Sequence, residues 1–282
     1  MYSLEISSVG SACGKNPYES RDKTIFTQLC KSDVNKYKSL LIEQGILIKS
    51  EKDYKEDEFR NIYKKFKSDV KDPNDFRFIE KEVLQEFKTK EPEADTERLV
   101  GKLRKDMQKD CGVNNEKSII SMKKYKRGNN KMWVYKHPNG WELKGLHDAS
   151  DGEIVIEVKT RMKFNNVRKN KYDLYQLFGY LLAMGKTKGK IVQKYGNDIF
   201  DSDIETENEF GIIDITDTHK DKYEAFLMEI QEFFMEVQYY NNKIFDINKV
   251  FGNLKVPVAE YSEKGACNIL PGYEKIVKLL IN

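Results

Sequence analysis

Three side chains near the middle of the chain have the types and spacing for work on a phosphodiester. Asp148 ends the run Gly145-Leu146-His147-Asp148, and Glu157 and Lys159 flank Val158. The acid closes one expected strand, and the Glu-x-Lys triplet sits inside the next. Side chains alternate faces along a strand, so Glu157 and Lys159 emerge together with Val155, while Ile154, Ile156 and Val158 turn toward a core. A twist or bulge would carry the Asp148 carboxylate toward Glu157. Hard oxygen ligands of this kind suit Mg2+ or Mn2+, and the lack of clustered Cys and His argues against zinc. Such an ion would polarise a phosphate, acidify water and stabilise a leaving oxyanion. Lys159 would hold the water and offset developing charge, and the Val158 carbonyl is a further candidate ligand. The competing reading is a solvent-facing ion pair on an ordinary strand.

The elements that must position these groups follow from periodicity. Met132 to Tyr135, Trp141 to Asp148 and Glu153 to Thr160 read as a β-meander, with turns at His137-Pro138-Asn139-Gly140 and Ser150-Asp151-Gly152. Residues 113–124 read as a helix carrying Glu116. Residues 171–184 read as an amphipathic helix with Leu174, Leu177, Phe178, Leu181 and Leu182 on one stripe and Gln176 beside it. Glu209 to Ile215 reads as a strand, and Tyr223 to Val237 as a second long helix. A lysine- and acid-rich stretch over 33–110 has helical spacing (Tyr37, Leu40, Leu41; Phe59, Ile62, Tyr63, Phe66) and is expected to be a helical insertion. The expected organisation is one domain over 1–282, with a catalytic core at 111–240 and a C-terminal extension at 241–282.

At 282 residues, 39% hydrophobic and 12% aromatic, the chain can bury a real core. Charged residues make up 34%, yet the net charge is only +3, so local clusters must identify any nucleic-acid surface. The start Met1-Tyr2-Ser3-Leu4-Glu5 has neither a basic leader nor an apolar run, and no stretch is long enough to span a bilayer, so no membrane partner is expected. The four cysteines are scattered, which predicts free thiols in a reducing, intracellular compartment.

Taken in order, four blocks resemble the PD-(D/E)xK nuclease superfamily, and within it the lambda exonuclease and YqaJ viral recombinase group. They are Ser7 to Tyr18, Gly112-x-x-x-Glu116, Gly145-x-x-Asp148 with Glu157-x-Lys159, and Tyr172 to Tyr180 containing Gln176. The resemblance implies an α/β restriction-endonuclease-like core, a mixed central sheet flanked by helices. It implies one or two Mg2+ or Mn2+ ions on Asp148, Glu157, Val158 and Glu116. Lys159 would handle the water, Gln176 would orient Lys159 or a nucleotide, and Ser7 would contact a terminal phosphate. The expected activity is a DNA exonuclease of recombination or replication, with a homo-oligomer or a recombination protein as possible partners. An endonuclease acting on DNA or RNA and a non-catalytic nucleic-acid-binding module stay open as alternatives. The chain departs from the group at His147, where proline is frequent, in the length of 33–110, and in the tail after about residue 240.

Residues 159–190 carry nine Lys/Arg against one acid, Asp173, and are the expected phosphate-tracking surface, with Arg161, Lys163 and Lys171 as its contacts and Tyr172 and Tyr175 as stacking rings. Lys123 to Arg127 is a second basic cluster. The acidic run from Asp198 to Glu209 lacks the spacing of a calcium loop. Neither Gly185-Lys186-Thr187 nor Gly14-Lys15 completes a phosphate-binding loop.

Overall fold

A computed structural model describes residues 2–49, 56–92, 96–128, 131–161, 171–195, 198–200, 212–262 and 265–281. The chain opens with β1 (Tyr2–Glu5), a 3-10 turn at Ile6–Ser8 and the short α1 (Val9–Ala12), followed by α2 (Arg21–Ser32), α3 (Val34–Glu43) and β2 (Leu47–Lys49). Helices α4 (Glu56–Tyr63), α5 (Asp75–Lys90) and α6 (Glu97–Met122) come next. The central strands are β3 (Lys126–Arg127), β4 (Trp133–His137), β5 (Trp141–Gly145), β6 (Ala149–Asp151) and β7 (Ile154–Arg161). Helix α7 (Lys171–Met184) leads to β8 (Lys188–Tyr195), β9 (Asp198–Phe200) and β10 (Ile213–Asp214). The remainder is α8 (Lys220–Asn241), α9 (Asn248–Phe251), β11 (Ala259–Ser262), β12 (Gly265–Ile269) and α10 (Glu274–Ile281).

The architecture is mixed α/β, with the described strands in three sheets. The largest has the order β10-β8-β7-β6-β3, with β9 also on β8; the others are β1-β5-β4 and β12-β11-β2. Strand β7 runs parallel to β8 and antiparallel to β6, and β5 runs parallel to β1. No described helix is long and apolar enough to cross a membrane.

The expected meander is divided between two sheets. The strand read as Trp141 to Asp148 stops at Gly145, and the chain resumes as β6 at Ala149. The physical reason lies in who takes the carbonyls of the intervening residues. The Tyr180 hydroxyl donates to the Leu146 carbonyl at 2.6 Å, and the Gly128 N–H donates to the Asp148 carbonyl at 2.9 Å. Strand β5 pairs with β1 and β4, while β6 turns to β7 and β3. Asp148 therefore sits in the break, not at the end of a strand.

Both faces of β7 are covered. Ile156 and Val158 pack with Ala149 and Val192 against Ile119 and Ile120 of α6, while Val155 joins the main core with Leu177 of α7. Helix α6 is much longer than the expected 113–124. Its first half carries Leu99, Leu103, Met107 and Cys111, a stripe at i+4 spacing that closes a separate small core with Phe59, Ile62, Tyr63, Val83 and Phe87. The self-contained helical lobe is thus formed by α4, α5 and the first half of α6. Residues 33–49 belong instead to the main body: Asp33 caps α3 by accepting from the Lys36 N–H at 3.0 Å, Tyr37 and Leu41 are buried in the main core, and β2 pairs with β11. The tail expected as an extension is likewise integral, since Phe245, Phe251, Val258, Ile276, Val277 and Leu280 complete that core.

Candidate active site

The register of the large sheet makes the site. Strand β6 pairs with β7 only over Ile154 to Ile156, so past that point the β6-side edge of β7 has no neighbouring strand among the described residues. Asp148 fills the gap with its side chain, accepting from the Val158 N–H through Oδ2 at 2.7 Å. Within a strand the N–H and C=O of one residue face the same neighbour, so the Val158 carbonyl turns toward the same open edge.

Glu157 and Lys159 emerge on the α7 side, as alternation predicts, and meet Gln176 there. The Gln176 amide donates to Glu157 Oε1 at 2.8 Å and accepts from Lys159 Nζ at 3.0 Å, while Lys159 is also paired directly with Glu157 Oε1. Gln176 therefore reads both partners at once. Glu157 Oε2 is buried without a hydrogen-bond partner. Asp173, one helical turn before Gln176, lies 3.9 Å from Lys159 Nζ and pairs with the Arg161 guanidinium.

The electrostatics are those of a pocket short of positive charge. Burial pushes the Glu157 carboxyl up, and Asp148 pushes it further. Burial also raises Asp148, opposed by Lys159 and reinforced by Glu116. Glu116, half-buried on α6, is raised by burial and then by Glu157, against the pull of Arg127 and Lys159. Burial disfavours the Lys159 ammonium, but Glu157, Asp173 and Asp148 outweigh it and hold its pKa above the ordinary lysine range. The raised acid and the raised base of one ion pair have a single explanation. Several carboxylates compete for one buried ammonium, so Lys159 is over-stabilised while Glu157 is under-compensated.

A divalent cation fits this deficit. Glu157 Oε2 is without a hydrogen-bond partner and Asp148 has a second oxygen to offer; with the Val158 carbonyl and Glu116 these are the oxygen types that hard cations take. Among the described residues, however, no three His, Cys, Asp or Glu side chains are gathered as a ready-made metal cage. Lys159 and Gln176 both bond Glu157 through Oε1, which leaves Oε2 as its free oxygen.

The nucleic-acid contacts expected from the sequence fare differently. Ser7 is exposed in the 3-10 turn, beside Ile6, which packs against Gly179 of α7 and Gly145. Lys171 is exposed at the start of α7, and Lys163 lies outside the described residues, as do Arg168 and Lys169. Arg161 is buried, and its guanidinium is committed to Asp173, to Gln193 at 2.8 Å and to the Tyr172 hydroxyl at 3.3 Å, which leaves little of it to meet a phosphate. Tyr175 is a core residue, packed edge-on against Phe226, because position 175 falls on the helix face that meets α8. Tyr172 is half-buried under the loop that carries Tyr18. The basic run is therefore not one surface. Parallel pairing sets Lys188 beside Ile154, at the far end of β7 from Lys159, and there Lys186 pairs with Glu153 and Lys188 with Asp214 at 3.6 Å. The acidic run lies outside the described residues from position 201 to 209, and so does the start of the strand expected from Glu209.

Asp173 and the Trp133–His147 pair also belong to the site. Asp173 looked like a lone acid in a basic run, and its signal was its place one turn before Gln176. Trp133 donates through Nε1 to His147 Nδ1 at 3.1 Å, and burial lowers the His147 pKa, so the imidazole next to Asp148 is held neutral with its proton on Nε2. Gly128 is required here: a Cβ at that position would run into the His147 carbonyl oxygen.

Comparison with known proteins adds little. No family model matches the chain, and no curated protein matches it. Among solved structures, one titled "Crystal structure of SSO0001" aligns over 57% of this chain and 77% of its own, at 16% identity and a TM-score of 0.35.

Proposed function

We propose that this chain is a divalent-metal-dependent nuclease on a restriction-endonuclease-like core, hydrolysing phosphodiester bonds at the Asp148–Glu157–Lys159 centre. One observation carries the reading. Asp148 caps the open edge of β7 at the Val158 N–H, beside a buried Glu157 that Lys159 and Gln176 both contact, and the charge of Glu116 is felt by Glu157 and Asp148. A structural ion pair needs no such surplus of acids.

Asp148, Glu157, Glu116 and the Val158 carbonyl would hold Mg2+ or Mn2+, one ion or two. The metal, when bound, supplies Lewis-acid polarisation of the scissile phosphate. The protein does the rest. Lys159, kept charged by its acidic neighbours, would hold an attacking water and offset charge on the phosphorane-like transition state. Gln176 fixes the Lys159 ammonium, and the Arg161–Asp173 pair braces the helix end that carries Gln176. DNA is the favoured substrate and end-directed cleavage the favoured mode, on the resemblance of the four sequence blocks. An intracellular role in recombination or replication, with a homo-oligomeric or recombination-protein partner, rests on the same resemblance.

A second reading, a nucleic-acid-binding module without turnover, is favoured by one observation: Lys159 and Gln176 already compensate Glu157 internally. End-labelled linear duplex, closed-circular DNA and single-stranded RNA, each incubated with Mg2+, Mn2+ or EDTA, separate the readings. Metal-dependent cleavage lost in both Lys159→Ala and Asp148→Ala supports the nuclease, and cutting of circular DNA would make it an endonuclease. Salt-sensitive binding with no cleavage under any condition leaves the binding module.

A further inference from the structure

Tyr18 is the most exposed aromatic ring among the described residues, at 73%. It is not carried on a loose loop. The Lys15 and Asn16 N–H groups both donate to the Gly10 carbonyl, at 2.8 and 3.2 Å. The Asn16 amide donates to Ser11 Oγ at 2.9 Å, and its Oδ1 accepts from the Tyr18 N–H at 2.9 Å. Pro17 fixes its own φ between them, and Ser11 Oγ donates to Glu19 at 3.1 Å on the far side.

The loop is also locked to the helix that carries Gln176. Gly10 lies so close to α7 that an added Cβ would fall 2.7 Å from Tyr172 Cβ. The Tyr18 and Tyr172 rings meet at right angles, with centroids 6.3 Å apart. From Tyr172 a continuous chain of contacts runs through Arg161 and Asp173 to Lys159. The ring is thus rigidly indexed to the candidate active site through packed and hydrogen-bonded groups. A T-shaped contact uses at most one face of Tyr18, and its exposure leaves the other face to solvent.

A large aromatic face held out on a pinned loop forfeits the burial that usually stabilises such a ring, and its rigidity removes the ordering cost of binding. The geometry points to a stacking subsite: we infer that Tyr18 receives the face of one unpaired nucleobase flanking the scissile phosphate. The inference rests on the nuclease reading. It specifies the substrate further, as one with at least one unstacked base at the reacting end, as in a single strand or a frayed duplex terminus. Stacking tolerates any base, so the subsite selects for strandedness and not for sequence.

Short single-stranded oligonucleotides carrying 2-aminopurine at successive positions test it, alongside the same strands with an abasic site at the position that responds. Wild-type protein should quench 2-aminopurine at one position. Tyr18→Ala should lose that quenching and raise KM about 5- to 100-fold with kcat nearly unchanged, while Tyr18→Phe should behave as wild type. The abasic strand should erase the difference between wild type and Tyr18→Ala. Equal KM and equal quenching in wild type and Tyr18→Ala, on a strand that wild type cleaves, overturns the stacking role and leaves the nuclease reading standing. A wild-type chain that ignores these strands but cleaves duplex DNA with Mg2+ or Mn2+ overturns the stacking subsite alone, and one that cleaves neither single strand nor duplex overturns both.

Discussion

The two ends of β7 carry the same kinds of residue in opposite circumstances. At the N-terminal end, Glu153 pairs with Lys186 in water, with the acid side chain 81% exposed. At the C-terminal end, Glu157 pairs with Lys159 with the acid side chain 2% exposed and α7 closed over it. An exposed pair gains little because water screens it and two long side chains must be held still. A desolvated pair cannot be neutral in this sense. Each member depends on the other, and neighbouring acids shift its proton affinity. A Glu–Lys pair on a strand therefore says little until its burial is known, and here burial separates an ornament of the surface from a candidate centre.

The largest effect expected at the buried end is on turnover. Glu157→Gln and Lys159→Ala should each lower metal-dependent cleavage by at least about 10^3-fold, as loss of a main electrostatic stabiliser does, while Lys186→Ala leaves the rate unchanged. Comparable losses at both ends, measured in single-turnover assays, would erase the distinction.

Stability comes next. Lys159→Met strips Glu157 of its ammonium partner and should cost up to about 3–5 kcal/mol in denaturant unfolding, whereas Lys159→Met with Glu157→Gln should recover most of it. Failure of the double variant to recover would mean that Lys159 acts mainly by packing.

A backbone probe follows. Gly128→Ala pushes on the His147 carbonyl and should cost about 1–3 kcal/mol while displacing Asp148. Its cleavage rate should therefore fall further than its stability explains, as read from kcat at a temperature where the variant is fully folded.

The pH dependence sharpens the same contrast. Folded Glu157, Asp148 and Glu116 all hold protons more tightly than ordinary carboxyls. Their folded pKa values lie above the unfolded ones, so the folded state binds the excess protons and metal-free stability must fall as pH rises from about 4.3 through the raised values. Lys159, raised above the ordinary lysine range, stays charged throughout that window and adds no slope there. Thermal melting in EDTA should show this decline, Glu157→Gln should flatten it, and Mg2+ should oppose it by replacing the protons. A metal-free Tm that rises over the same window would sink the account. The smallest effect belongs to the exposed end, where Lys186→Ala or Glu153→Ala should change stability by no more than about 0.5 kcal/mol.

Much of the centre was legible in the residues. Strand alternation placed Glu157 and Lys159 on one face, and helical spacing placed Gln176 at the edge of a buried stripe, where the two faces meet. What was not legible depended on partners distant in sequence. Arg161 reads as a surface base until Asp173 and Gln193 close on it. Tyr175 reads as a stacking ring until α8 covers it. The stripe Leu99, Leu103, Met107 and Cys111 sits among so many charges that α6 looks shorter than it is, and α3 and β2 look like part of an insertion because their partners, α10 and β11, lie near the other terminus.

The sequence by itself determined which groups could do chemistry and which of them share a face, because both follow from side-chain type and from the 2.0 and 3.6 residue periods of strand and helix. The tertiary structure alone decided the break at Leu146 to Asp148, the open edge of β7 and the excess of buried acid over buried base. Strand ends are set by which carbonyls find other donors, and proton affinities by which charges lose water together, and neither quantity is local in the chain.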